Sequence, residues 1–181
     1  MANAMTRTLK TFLFWRLFML AFAPALLLAG CGGGEELRHD GKTLNEWVAD
    51  AKGRDAKVRI AAYEALVHFR GNKTATETLR EKMMSDSAPV GERFVAARCL
   101  FRLTGEEGEV IDGTRAVIRR EADSSTGLRA TKELTDLFFW LGARSKPLIP
   151  DLQYARGRIR GQDPASAQRR AAIDQVIGDI Q

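Results

Sequence analysis

The chain is poor in the residues that usually hold metals, disulfides and catalytic protons. It has 2 cysteines and 2 histidines among 181 residues. His39 and His68 have no cysteine partner and no paired spacing, so neither a metal site nor histidine base catalysis is indicated. There is no Gly-rich phosphate loop, no His-Glu-x-x-His, no Gly-x-Ser-x-Gly and no cluster of cysteine with histidine. No catalytic residue, metal or cofactor is therefore assigned, and the chain is read as a non-enzyme. A long apolar run is missing too. Leu17 to Leu28 is 12 residues, whereas a bilayer core needs ~20. Extending the run back through Thr11 to Trp15 takes in Arg16, and Pro24 interrupts the helix.

What is present begins with that short run. Met1 to Arg16 supply positive charge, Leu17 to Leu28 an apolar stretch, and small residues follow, the tripartite pattern of a secretory signal. Leu28-Ala29-Gly30-Cys31 then resembles the lipobox of bacterial lipoproteins. The resemblance implies cleavage before Cys31, acylation of its thiol and tethering to a membrane. The alternative is an uncleaved anchor. Met5 is an alternative start, since nothing upstream of it adds to the pattern. Position two after the cysteine is Gly32 rather than the Asp that resembles an inner-membrane retention signal, which implies the periplasmic leaflet of an outer membrane. The domain division is thus 1–30 as signal peptide, 31–42 as lipidated cysteine and flexible tether, and 43–181 as the folded part. Gly32-Gly33-Gly34-Glu35-Glu36 is the flexible piece of that tether.

The cut also changes the charge. Arg7, Lys10 and Arg16 precede it and no acid does, so residues from Cys31 on carry 25 basic and 23 acidic groups. That near balance gives no reason to expect nucleic acid as a partner. Once Cys31 is acylated, Cys99 alone remains and no internal disulfide framework is possible. Stability must come from packing, for which 45% hydrophobic residues suffice.

Thr43-Leu44-Asn45-Glu46 has the form of a capping box, so a helix starts there with Trp47 and Val48 inward. A turn at Asp50 to Arg54 leads to a second helix. In it Val58, Ala61, Ala62, Ala65, Leu66 and Phe69 recur at helical spacing until Gly71. The unit then repeats. A shift of 34 places Arg59 on Arg93, Ala62 on Ala96, Ala65 on Cys99, Leu66 on Leu100, Phe69 on Leu103 and Gly71 on Gly105. Thr74-Ala75-Thr76-Glu77 offers a second capping box, with Leu79, Met83 and Met84 inward, and Pro89 opens the next helix. Leu137, Trp140 and Gly142, then Ile173, Val176 and Gly178, continue the beat at glycine spacings of 34, 37 and 36.

Such a period marks units that bury their faces only by stacking on one another. The pattern resembles HEAT repeats, through Asp55-Ala56-Lys57-Val58-Arg59 with Ala62, Ala65 and Leu66, and through Leu141-Gly142-Ala143 to Pro147-Leu148-Ile149-Pro150-Asp151-Leu152. Tetratricopeptide repeats share a period near 34, but their Trp, Leu-Gly and Tyr positions are not filled. The resemblance implies an all-α fold, a right-handed α-solenoid of about four HEAT-like helix pairs after the signal peptide. Asp136 is out of place in it, where a small core residue is expected.

Function follows from that surface. In the resembled fold the second helices line the concave side, so Glu64, His68, Arg98 and Arg102 are the candidate partner-binding residues. A row of arginines there suits a partner with exposed carboxylates, whereas Arg59 and Arg93 are expected to bond internally between repeats. Phe138-Phe139-Trp140 is read as core rather than an exposed face, and Cys99 as an inert buried thiol. Arg156 to Gly161, followed by Arg169-Arg170, is the densest positive charge and is read as a solvated loop between the last two helices. Asn72-Lys73-Thr74 is formally a glycosylation sequon and is read as a turn and a cap. The expected role is that of a lipid-anchored protein-binding scaffold or adaptor in the bacterial cell envelope, with an unknown protein partner and the membrane, held through Cys31, as its neighbours. A passive structural envelope component is the alternative, and a HEAT-like enzyme such as a lyase a more remote one.

Overall fold

The computed structural model describes residues 37–129 and 131–181. The expectations about the signal peptide, Cys31 and the glycine tether fall outside them. After Leu37 the chain makes a small antiparallel hairpin, β1 (Arg38–His39) and β2 (Lys42–Thr43), with Arg38 opposite Thr43 and His39 opposite Lys42. Asp40 and Gly41 form its turn with φ of 48° and 77°, the left-handed pair that a two-residue hairpin requires. This corrects the reading of 31–42 as tether at its last residues. The indole Nε1 of Trp47 donates to the His39 carbonyl at 3.0 Å, and Lys42 Nζ sits 4.5 Å from that indole's centroid, which fastens the hairpin to the first helix.

The rest is all-α. Helix α1 (Leu44–Asp50) starts at the expected capping box, with Thr43 and Glu46 bonded reciprocally. That bonding, led by the Thr43 backbone N–H, holds the Glu46 carboxyl below its usual range. Helix α2 (Ala56–Leu66) is capped by Asp55, whose carboxylate accepts from Lys57 and Val58 N–H. It ends five residues before Gly71, whose φ of 75° turns the chain. Ala61 and Val58, expected inward, are exposed. Helix α3 (Lys73–Met84) is capped by Asn72, not Thr74. The Asn72 side chain accepts from Thr74 and Ala75 N–H, so the helix begins two residues earlier than the Thr-x-x-Glu pattern suggests. Leu79 and Met83 are buried as expected, but Met84 faces solvent.

Helix α4 (Val90–Thr104) follows Pro89 and stops at Gly105, φ 74°. Nearly every side of it is apolar or small, from Phe94 to Leu103, and it accordingly lies at the centre of the core, packed on α2, α3, α5 (Glu107–Asp123) and α6 (Lys132–Leu141). After α6, Gly142 turns at φ 54° into a 3₁₀ segment, Gly142–Leu148, which touches α5, α6, α7 (Ile149–Arg158) and α8 (Pro164–Ile180). Gly178 lies inside α8 and stops nothing, contrary to the expected beat.

Packing is regular except at one place. Among consecutive helices α1 meets α2, α3 meets α4 and α7 meets α8, whereas α5 packs on α4 and on the 3₁₀ segment and barely touches α6. Between pairs, α1, α3, α5 and α7 pack in succession, as do α2, α4, α6 and α8. Gly113 of α5 marks one close approach, since a Cβ there would lie 2.4 Å from the Met83 terminal methyl. Among the described residues no helix is long and apolar enough to cross a membrane.

Candidate functional site

Residues four apart on a helix share a face. Arg98 and Arg102 therefore project together from α4, Asp136 and Trp140 from α6, and Glu64 meets them from α2. Arg98 Nη2 bonds Glu64 Oε1 and its Nη1 lies 3.3 Å from Asp136 Oδ2. Arg102 Nη1 reaches Glu64 Oε2 at 2.5 Å, and Lys132 Nζ reaches Asp136 at 2.7 Å. Asp136, out of place as a core residue, is thus the third rung of a charge ladder running across three helices. The carboxylates that the arginine row was expected to seek on a partner are supplied, for Arg98 and Arg102, by this chain. Arg98 Nε remains sealed from solvent without an acceptor.

His68 stands apart from that ladder. Its ring stacks on His39 of the hairpin, centroids 3.7 Å apart and planes 12° apart. No sequence spacing announces this pair, because the hairpin return that creates it rests on Asp40-Gly41. Stacked rings direct their nitrogens along parallel planes instead of toward one point. Among the described residues no group of three or more His, Cys, Asp or Glu is placed to hold a metal.

At the α6 end of the ladder the apolar surface opens. Leu134, Leu137, Phe138 and Leu141 take the inward stripe, which leaves Phe139 at 84% and Trp140 at 46% exposure. This corrects the reading of Phe138-Phe139-Trp140 as core: α6 has one buried stripe, and only Phe138 of the three lies on it. The Arg102 guanidinium lies 4.9 Å from the Trp140 ring centroid. Beside Phe139 is a hollow of about 280 Å³, closed on its other side by Val176, Asp179 and Ile180 of α8.

Other charges are structural rungs. Arg59 forks onto Glu92 at 2.8 and 2.5 Å and also donates to the Gly53 and Arg54 carbonyls. Tyr63, which shares Glu92 at 3.3 Å, has its hydroxyl pushed up to about 12, first by burial and then by that carboxylate. Asp55 plays no part in this pair, although Asp-x-x-x-Arg spacing suggests it. Arg93, 2% exposed, donates to the Met83 carbonyl and to Glu121, both at 3.2 Å, and burial pulls its pKa down. On the other layer Arg80 of α3 pairs with Glu109 of α5, whose carboxyl it holds below the usual range. Arg115 and Arg119 of α5 converge on buried Asp151 of α7 at 3.1 and 2.6 Å. Sequence reasoning missed all of these but the arginines at 59 and 93. The signal available was the period itself, since each rung joins residues about one repeat apart.

Cys99 is fully buried, and burial pushes its thiol up to about 12, which leaves little nucleophilic thiolate at neutral pH. The basic stretch is not a loop throughout: Arg156 and Arg158 close α7 and pair with Asp174 at 2.5 Å and Asp123 at 3.1 Å. Arg170 donates to the Ile159 and Gly161 carbonyls. No protein-family model, no curated protein and no solved structure matches this chain.

Proposed function

We propose that this chain is a lipoprotein anchored through Cys31, built as a right-handed α-solenoid of about four HEAT-like helix pairs, and that it serves as a protein-binding scaffold or adaptor in the bacterial cell envelope. The alternating packing of first and second helices supports the solenoid reading. One observation carries the binding reading: Phe139 and Trp140 leave a large aromatic surface in solvent at the end of a charged ladder whose arginines already pair with carboxylates of this chain. Exposed aromatics beside an arginine are the composition of an interface centre. The partner is then a protein with an apolar anchor for the hollow beside Phe139. No catalytic step is assigned to the chain.

Site-specific photo-crosslinking tests this in cells. A crosslinker at Phe139 gives a discrete adduct that one at Glu81, exposed on the opposite layer, does not. Equal, diffuse labelling at both positions would favour the passive structural component instead. The internal satisfaction of Arg98 and Arg102 is the observation that supports that second reading.

A further inference from the structure

Between α5 and α8 the chain encloses a hollow of about 320 Å³ with a different chemistry from the aromatic face. Its floor is the turn Ser124-Ser125-Thr126-Gly127, which bends at Gly127 with φ 66°; of its three hydroxyls Ser124 Oγ already donates to the Glu121 carbonyl at 2.7 Å and lies 3.1 Å from Thr126 Oγ1. Three guanidiniums line it: Arg158 from the end of α7, Arg160 from the segment that follows, and Arg169 from α8. The one carboxylate among its lining residues is Asp123, which already serves Arg158 at 3.1 Å and the Tyr154 hydroxyl at 2.7 Å. Among the described residues neither Arg160 nor Arg169 has a carboxylate partner.

Arg169 adds a second observation. Its Nη1 donates to the Thr126 carbonyl at 2.8 Å, which fixes the turn against α8, while its Nε is sealed from solvent with no acceptor. A buried donor of a charged group is rarely left so. Arg169 Nη2 donates to Ser166 Oγ at 3.3 Å. The hollow thus carries an excess of positive charge and hydroxyl donors, and it is too polar to serve as an apolar docking groove.

We propose that this hollow is an anion site that takes a phosphate group, either free phosphate or the phosphate of a lipid headgroup. Arg160 supplies a forked, charge-assisted pair of hydrogen bonds, Arg169 adds its charge and the Nη protons not used on Thr126 and Ser166, and Ser125 and Thr126 add hydroxyls. The inference is independent of the aromatic face and of any partner there.

Calorimetric titration of the purified chain in detergent tests it, with inorganic phosphate as probe and chloride matching the ionic strength. Saturable binding of one phosphate per chain is expected. Arg160→Gln weakens it about tenfold with no change in Tm, since that side chain is exposed and bonds nothing else among the described residues. Arg169→Lys also weakens it, because an ammonium keeps the charge but loses the guanidinium's additional N–H donors. Glycerophosphoglycerol, a deacylated headgroup, separates the two sources: tighter binding than phosphate identifies a lipid, weaker binding a free anion. Heats that never saturate with either probe, or binding that Arg160→Gln leaves unchanged, would overturn the proposal.

Discussion

Arg93 is the largest side chain that this fold buries completely, and it shows how one residue couples two helices. It meets α3 through the Met83 carbonyl and α5 through Glu121, while Nη2 has no acceptor. Its counter-charge is not equally buried: the Glu121 side chain is 22% exposed. The two partners should therefore respond differently to removal. Glu121→Ala strands a charge that cannot return to water and costs about 2 kcal/mol. Arg93→Met removes the buried charge and leaves a carboxylate that solvent can reach, so its change stays within about 1 kcal/mol of wild type. Urea denaturation of both variants measures the difference, and equal losses would mean that the guanidinium contributes by packing alone.

At the scale of elements, helix starts decide how the stack is phased. Asn72 accepts two of the first N–H groups of α3, while Thr74, inside the helix, bonds none of them. Asn72→Ala should cost ~1 kcal/mol, and Thr74→Ala should be silent within about 0.5 kcal/mol. Thermal melts of the pair distinguish the two cap assignments. A second test concerns the approach of α5 to α3. Gly113→Ala gains up to ~1 kcal/mol of helix propensity, but the new methyl collides with Met83, where overpacking costs about 1–3 kcal/mol. In wild type the collision wins and stability falls. In a Met83→Ala background the same change should raise stability, and a double-mutant cycle with no coupling would show that the two helices are not in contact there.

Much of this element structure was legible in the chain. The capping box at Thr43, the proline before α4 and the turns at Gly71, Gly105 and Gly142 all depend on local chemistry, which a sequence states directly. So did the inward stripe of Leu66, Leu79, Met83, Leu100 and Leu137. What failed depended on neighbours. Val58 and Met84 have the right periodicity but face solvent, and Phe139 and Trp140 sit on sides of α6 that no other described helix buries. Gly178 has the right spacing, yet a helix continues through it. The Glu64–Arg98–Asp136 ladder joins residues 34 and 38 apart in sequence and appears only once the helices are laid side by side.

On the scale of the whole molecule, the described helices are joined twice over. An apolar core centred on α4 runs through them, and arginine–carboxylate rungs stitch successive helices in both layers. Partly exposed pairs of this kind add little individually, ~1 kcal/mol at most, so the core sets stability and the rungs set register. This leaves the surface division clear: aromatics at the end of α6, a basic hollow between α5 and α8, and an N-terminal hairpin fixed to α1. In sequence the hairpin begins four residues after Gly34, the last of the glycines that follow Cys31.

That anchor is the central claim, and intact mass combined with membrane fractionation tests it most directly. Wild type should be found in the membrane fraction at the mass of residues 31–181 plus acyl groups, and Cys31→Ala should stay unprocessed. An unlipidated wild-type chain recovered from the soluble cytoplasmic fraction at its full 181-residue mass would contradict the account.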